Sequence, residues 1–264
     1  MTTLMNAIVI IGLGGIGEAV AQALVDVPAP LVLGWHSSDQ AAQRVVEARR
    51  AANQPVHAYS IDATSAESCK AFFKQARTEV GKLSAVVNCF GTVAFGGGPQ
   101  PGAGADTVIR DNLEGVVNVC RSASFSLMKA GGGTIVNVGS ATAGHALAGL
   151  SLYSAAKAGV AAFTRTLAME VAPFGITCNL VSPGFIEAGA TAKLPEELKK
   201  TIAAEIPLAR LGTAQEVADL IRFLVLSPAA RYMTGQELTI DGGWSMGATH
   251  LSQLLRRQAA SSAT

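Results

Sequence analysis

The chain has 264 residues, of which 49% are hydrophobic and 15% charged, with 28 glycines and a formal net charge of +1. Soluble domains average about 25% charged residues and about 7% glycine, so this composition excludes a disordered chain, which needs low hydrophobicity and high net charge. It also excludes a nucleic-acid binder acting through bulk positive charge. The first basic residue is Arg44, so the charged n-region of a secretory signal is missing. The most apolar stretch, Ala7 to Gly17, is short and broken by four glycines, and no membrane-spanning helix is expected. Cys69, Cys89, Cys120 and Cys178 form no C-x-x-C pair. They are expected to be free thiols in a cytoplasmic protein without a metal site.

Strand-like and helix-like segments alternate along the chain. Ala7–Ile11 is a β-branched run and reads as a buried strand. Helical spacing follows from Glu18 to Val25, then a strand over Leu31–Gly34 and a helix over Ser38–Ala52, with Ser37 or Ser38 as N-cap. The pattern continues with strand Val56–Ile61, helix Ser65–Glu79 and strand Ala85–Asn88. One long helix is predicted over Asp106–Lys129. Strand Thr134–Val138, helix Ala155–Val171 and strand Ile176–Val181 come next. Helices Pro195–Ala204 and Ala214–Leu226 precede a last strand, Glu237–Ile240. This alternation predicts an α/β fold: one doubly wound (Rossmann) parallel sheet with helices on both faces. One domain over residues 1–247 is expected, followed by a tail over 248–264. Gly96–Gly104 reads as a flexible loop inside that domain.

Gly12-Leu13-Gly14-Gly15-Ile16-Gly17 follows the first strand and opens a helix. There the backbone can approach a dinucleotide pyrophosphate, and the helix N-terminus supplies free N–H donors. At the end of the second strand an acid would accept the ribose 2′-hydroxyl of NAD. The sequence there is Gly34-Trp35-His36-Ser37-Ser38, with no carboxylate until Asp39. Hydroxyls and an imidazole suit the 2′-phosphate of NADP better. The alternative is that Ser37 and Ser38 only cap the helix and His36 is a solvated loop residue.

Tyr153 and Lys157 stand four residues apart in Y-S-A-A-K, on one face of a helix. A tyrosine with pKa near 10 is a poor acid–base group at neutral pH. A nearby ammonium is expected to favour its phenolate and make it a tuned proton donor or acceptor. Ser140 lies thirteen residues before Tyr153, just past a strand end, where such sheets bind ligands. Its hydroxyl is placed to hold a carbonyl. Asn112 lies inside the long helix, where Asn has poor propensity.

With these motifs in one order and register, the sequence resembles the classical short-chain dehydrogenase/reductases, most closely the 3-oxoacyl reductase type. Further matching segments are Ile61-Asp62-Ala63-Thr64, Asn88-Cys89-Phe90-Gly91, Asn179…Pro183-Gly184, Ile206-Pro207-Leu208…Arg210 and Thr234-Gly235-Gln236…Asp241-Gly242-Gly243. The resemblance implies an NAD(P)-dependent oxidoreductase that reduces a ketone or oxidises a secondary alcohol. It makes Tyr153 the proton donor, Lys157 its modulator and a ribose ligand, Ser140 the carbonyl-orienting group, and Asn112 the holder of a relay water. Cofactor contacts are implied for Gly12, Leu13, Gly14, Ile16, Asp62, Ala63, Asn88, Gly91, Pro183, Gly184 and Ile186. Pairing of the two long helices into homodimers or homotetramers is implied as well.

Departures from the family pattern matter. The glycine loop is one residue shorter than the usual T-G-x-x-x-G-I-G, with Ile11 in place of the threonine. Glu187-Ala188-Gly189-Ala190 stands where a threonine usually bonds the carboxamide, leaving Thr191 as a substitute, and Phe90 replaces a small alanine. Arginines that dock an acyl carrier in the family correspond here to Gly131 and Phe174, which favours a free ketone, an alcohol or a CoA ester. An apolar substrate pocket is expected beneath a lid over Phe185–Glu205. The leading expectation is an NADP-dependent ketone reductase. The alternatives are a non-catalytic dinucleotide sensor or scaffold and an NAD-dependent secondary alcohol dehydrogenase. The partners expected are small molecules and further copies of the chain, not a membrane or nucleic acid.

Overall fold

The structure, a computed structural model, describes residues 6–37, 39–93 and 105–247. Expectations placed on Ser38, on the Gly96–Gly104 loop and on the tail from Ala248 fall outside these residues. Seven strands form one parallel sheet: β1 (Ala7–Ile11), β2 (Leu31–Trp35), β3 (Val56–Ser60), β4 (Leu83–Asn88), β5 (Gly133–Val138), β6 (Ile176–Pro183) and β7 (Glu237–Ile240). Their spatial order is β3-β2-β1-β4-β5-β6-β7. The chain therefore winds outward from β1 in one direction, then resumes at β4 in the other. The doubly wound expectation holds, and the switch point lies between β1 and β4.

Alternation along β1 shows why both faces need cover. Ala7, Val9 and Ile11 enter one apolar cluster, while Ile8 and Ile10 enter the other, because successive side chains point to opposite faces. Helices α3 (Ala66–Val80), α5 (Gly115–Ala130) and α6 (Ser151–Val171) cover the first face. Helices α1 (Gly15–Ala23), α2 (Asp39–Ala51) and α9 (Ala214–Leu226) cover the second. Two short helices, α7 (Gly189–Ala192) and α8 (Glu196–Glu205), follow β6.

Two helices depart from their expected bounds, and one buried cation had no signal in the sequence. The single helix expected from Asp106 to Lys129 is instead α4 (Ala105–Ile109), one π-helical turn over Arg110–Glu114, and α5. A π turn accommodates one extra residue within a helix, and Asn112 is buried in this one. Helix α6 starts at Ser151 rather than Ala155, so Tyr153 sits in its first turn. Arg49, on α2, is fully buried. Its guanidinium donates to the carbonyls of Leu24, Val25, Val27, Ala29 and Pro55 at 2.5–3.1 Å, tying the α1–β2 loop to the start of β3.

Candidate active site

The cleft begins at the carboxyl ends of β1 and β4, where the crossover directions diverge. Gly12 has φ +87°, and a Cβ there would lie 2.6–2.7 Å from the backbone and Cβ of Phe90. Glycine is therefore required to bring this loop against the end of β4. A Cβ on Gly14 would meet nothing within 4 Å, so that residue faces open space. Gly14 also caps α1 without any side-chain hydrogen bond. The N-terminus of α1 is thus uncapped and open towards the cleft, as an anionic pyrophosphate requires. A Cβ on Gly15 would come 2.9 Å from that of Ala188. The shortened loop is matched by a close approach of the segment after β6.

Two adjoining cavities share Gly14, Cys89, Phe90 and Gly91. The first holds about 400 Å³. Gly12, Leu13 and Gly14 form its floor, His36 and Ser37 line the end of β2, and Asp62 and Ala63 lie at the end of β3. Hydrogen bonds from Thr64 hold the Asp62 carboxyl below its ordinary pKa. The second cavity holds about 240 Å³. It joins Ile16 with Pro183, Gly184 and Ile186 and ends on Ser140, Tyr153 and Lys157. Thr191, the substitute expected for the family's threonine, lines it as well. Their lengthwise arrangement fits a dinucleotide, with the adenosine end under β2 and β3 and the reactive end under β5 and β6.

At that reactive end, Ser140 caps the turn after β5 and pairs with the Thr142 hydroxyl at 2.8 Å. The Lys157 ammonium lies 5.7 Å from the centre of the Tyr153 ring. Lys157 is 3% exposed and donates to the Val138 carbonyl at 2.9 Å. Burial lowers its pKa to about 8. Burial also raises the Tyr153 pKa above its ordinary value, with the Ser140 hydroxyl working in the opposite direction. The sequence expectation of a lowered phenol pKa is therefore corrected: burial outweighs the hydrogen bond from Ser140. Desolvation penalises the phenolate and keeps the Tyr153 phenol protonated.

Asn112 is locked by the π turn. Its amide donates to the carbonyls of Thr92 and Val108 at 2.7 and 3.0 Å, while its buried Oδ1 has no hydrogen-bond partner. A Cβ at Gly91 would overlap this oxygen and come 3.3 Å from Lys157 Nζ. Asn112 Oδ1, an orphaned acceptor, and Lys157 Nζ therefore both border the space beside Gly91. Such an acceptor needs a water or a ligand group.

Most predicted residues thus converge, but Asn88 does not line either cavity. Its side chain is buried and donates to Asn137 Oδ1 at 2.7 Å, and Asn137 donates onward to Thr164 at 2.9 Å. It braces β4 against β5 and α6. Sequence reasoning passed over Asn137, whose polar side chain in an otherwise apolar strand was the available signal. It also passed over Arg110, Thr64 and Thr92 on the wall of the first cavity.

A dinucleotide cleft that ends on serine, tyrosine and lysine defines an NAD(P)-dependent oxidoreductase. Comparison with known proteins agrees. Residues 12–245 match the family model described as enoyl-(acyl carrier protein) reductase. Acetoacetyl-CoA reductase of Allochromatium vinosum is 32% identical over 244 residues, 91% of this chain and 98% of that protein. A 3-oxoacyl-acyl-carrier-protein reductase of Pseudomonas aeruginosa is 34% identical over 244 residues, 88% of this chain and 94% of that protein. Among solved structures, an actinorhodin polyketide ketoreductase variant with NADPH superposes with a TM-score of 0.84 at 25% identity, covering 93% of this chain and 99% of that one. The chain belongs to the short-chain dehydrogenase/reductase family. It is an oxidoreductase. No helix among the described residues is long and apolar enough to cross a membrane.

Proposed function

We propose that this protein is an NADPH-dependent reductase of a free, apolar ketone, or the reverse alcohol dehydrogenase, with Tyr153 as the proton donor. The carrying observation is the junction of Ser140, Tyr153 and Lys157 at the end of a cleft whose uncapped helix and open Gly14 suit a dinucleotide. The nicotinamide, when bound, supplies the hydride. The chain's own residues do the rest. Ser140 Oγ orients the carbonyl oxygen, and Tyr153 Oη donates its proton to that oxygen as negative charge develops there. Lys157 places a positive charge beside the phenol ring and favours the tyrosinate left behind. Asn112 Oδ1 accepts a hydrogen bond from a water, and the Lys157 ammonium passes a proton to the tyrosinate and is reprotonated through that water, so that Tyr153 regains the proton it gave.

The substrate reading rests on a further cavity of about 110 Å³ that borders Ser140 and Tyr153. Val93, Leu150, Phe185, Leu194 and Trp244 line it, with Thr142 and Thr191 as polar neighbours. Phe185 and His145 both meet Trp244 edge-on, at 5.1 and 4.5 Å between ring centres. An apolar wall behind a hydroxyl–phenol pair suits a ketone with a hydrocarbon flank. Gly131 serves the fold as the left-handed C-cap of α5, and Phe174 is an exposed apolar residue. Neither supplies a cation for an acidic carrier.

NADPH is favoured over NADH because the residues that follow β2 into the cavity, His36 and Ser37, include no carboxylate; the cavity's Asp62 and Asp111 come from other segments. Assembly into dimers or tetramers is supported by exposed apolar side chains on and beside α5 and α6: Phe125, Met128, Leu152, Met169 and Phe174. A panel of aliphatic and aromatic ketones with NADPH and with NADH tests the reading. Oxidation of NADPH by at least one apolar ketone is expected. No turnover with either nucleotide across the panel overturns it in favour of a sensor.

A further inference from the structure

Arg110 opens the π turn and lines the adenosine cavity alongside His36 and Ser37. Two elements far apart in sequence therefore bring one cationic or titratable nitrogen group each to one cavity. Arg110 is exposed; its backbone carbonyl accepts from the Gly115 N–H, and among the described residues its guanidinium makes no hydrogen bond or salt bridge. The carboxylates nearby are already engaged. Asp62 Oδ1 accepts from the Thr64 amide and hydroxyl at 2.9 and 2.7 Å, and Asp111 accepts from the Thr92 hydroxyl at 3.1 Å. Both Arg110 and His36 sit near enough to Asp62 to favour its charged form. A guanidinium that shares one cavity with an imidazole and a hydroxyl, with no direct bond to the Asp62 carboxylate it faces, can take a phosphate monoester.

We propose that Arg110 is a specificity-determining residue for the cofactor: with His36 and Ser37 it clamps the ribose 2′-phosphate of NADPH. This rests on the dinucleotide reading above. It differs from that reading in placing the decisive charge on the π turn before α5 rather than on β2 or the glycine loop. The placement also gives the π turn two tasks. It buries Asn112 towards Lys157 and turns Arg110 towards the adenosine end.

Isothermal titration calorimetry of the whole chain with NADPH and with NADH tests the clamp without relying on turnover. In Arg110→Gln the NADPH dissociation constant should rise about tenfold, the worth of one exposed charge-assisted hydrogen bond. The NADH constant should change by less than about twofold on the same scale. Arg110→Lys should recover part of the NADPH affinity, and the wild-type advantage of NADPH should shrink with added salt. Equal weakening of both nucleotides would place Arg110 on the adenine or pyrophosphate and overturn the proposal. So would an unchanged NADPH constant, while leaving the reductase reading intact. A wild-type chain that binds neither nucleotide would overturn both.

Discussion

Replacing Gly91 by alanine probes the geometry that joins the two ends of the site. Gly91 has φ +153°, a conformation L side chains rarely adopt, and its new Cβ would overlap Asn112 Oδ1 and approach Lys157 Nζ to 3.3 Å. Asn112 cannot withdraw freely, because its amide is held by the Thr92 and Val108 carbonyls. Lys157 is likewise held by the Val138 carbonyl. Backbone strain and overpacking together should cost about 2–4 kcal/mol. For a chain of this size that lowers the melting temperature by roughly 5–15 °C. Displacing Lys157 or Asn112 by about 1 Å should lower kcat by roughly a hundredfold. Gly81→Ala is the control. Gly81 has φ +74° and ψ −109° but open space around its Cβ, so it should lose only the backbone strain of about 1–3 kcal/mol and no activity. The readouts are thermal melting and ketone-dependent NADPH oxidation. If Gly91→Ala melts no lower than Gly81→Ala and keeps its rate, the placing of Asn112 Oδ1 and Lys157 Nζ beside Gly91 is wrong.

Other expectations concern the fold, the pH response and assembly. Arg49→Met leaves carbonyls of the α1–β2 loop without donors and should destabilise by about 3 kcal/mol or more; denaturant unfolding with a midpoint equal to wild type would contradict this. Lys157, lowered to about 8 by burial, carries its costly buried charge below that pH, so its relative contribution to stability grows as pH rises from about 8 towards its ordinary 10.5. The melting advantage of Lys157→Met over wild type should therefore shrink across that window, and ketone reduction by the wild type should fall as pH climbs past about 8. Light scattering at micromolar concentration should report a dimer or tetramer, and Met169→Glu combined with Phe174→Glu should dissociate it; a monomeric wild type would refute pairing through α6.

Much of the fold was legible because its signals are local. Buried parallel strands read as β-branched runs such as Ala7–Ile11, and the glycine loop and the Tyr153–Lys157 spacing name their own positions. What stayed hidden depends on distance in space. Arg49 reads as one more helix-face cation, and only the folded chain brings five carbonyls to it. The π turn at Arg110–Glu114 leaves the helical periodicity almost unchanged, so neither the burial of Asn112 nor the outward turn of Arg110 could be read from spacing. Asn88 was expected at the cofactor, but strand pairing turned its side chain inward to Asn137. The Tyr153 pKa moved opposite to expectation because sequence spacing shows the neighbouring ammonium and cannot show the loss of water around the phenol.

The central claim, that Tyr153 gives its proton to a carbonyl beside a bound dinucleotide, is tested most directly by Tyr153→Phe. NADPH affinity should stay close to wild type, since the glycine loop and the adenosine cavity are untouched. Ketone-dependent NADPH oxidation should drop by about 10²–10⁴-fold, the usual worth of a positioned general acid. A variant that binds NADPH and still reduces the same ketone at near wild-type rate would contradict the account.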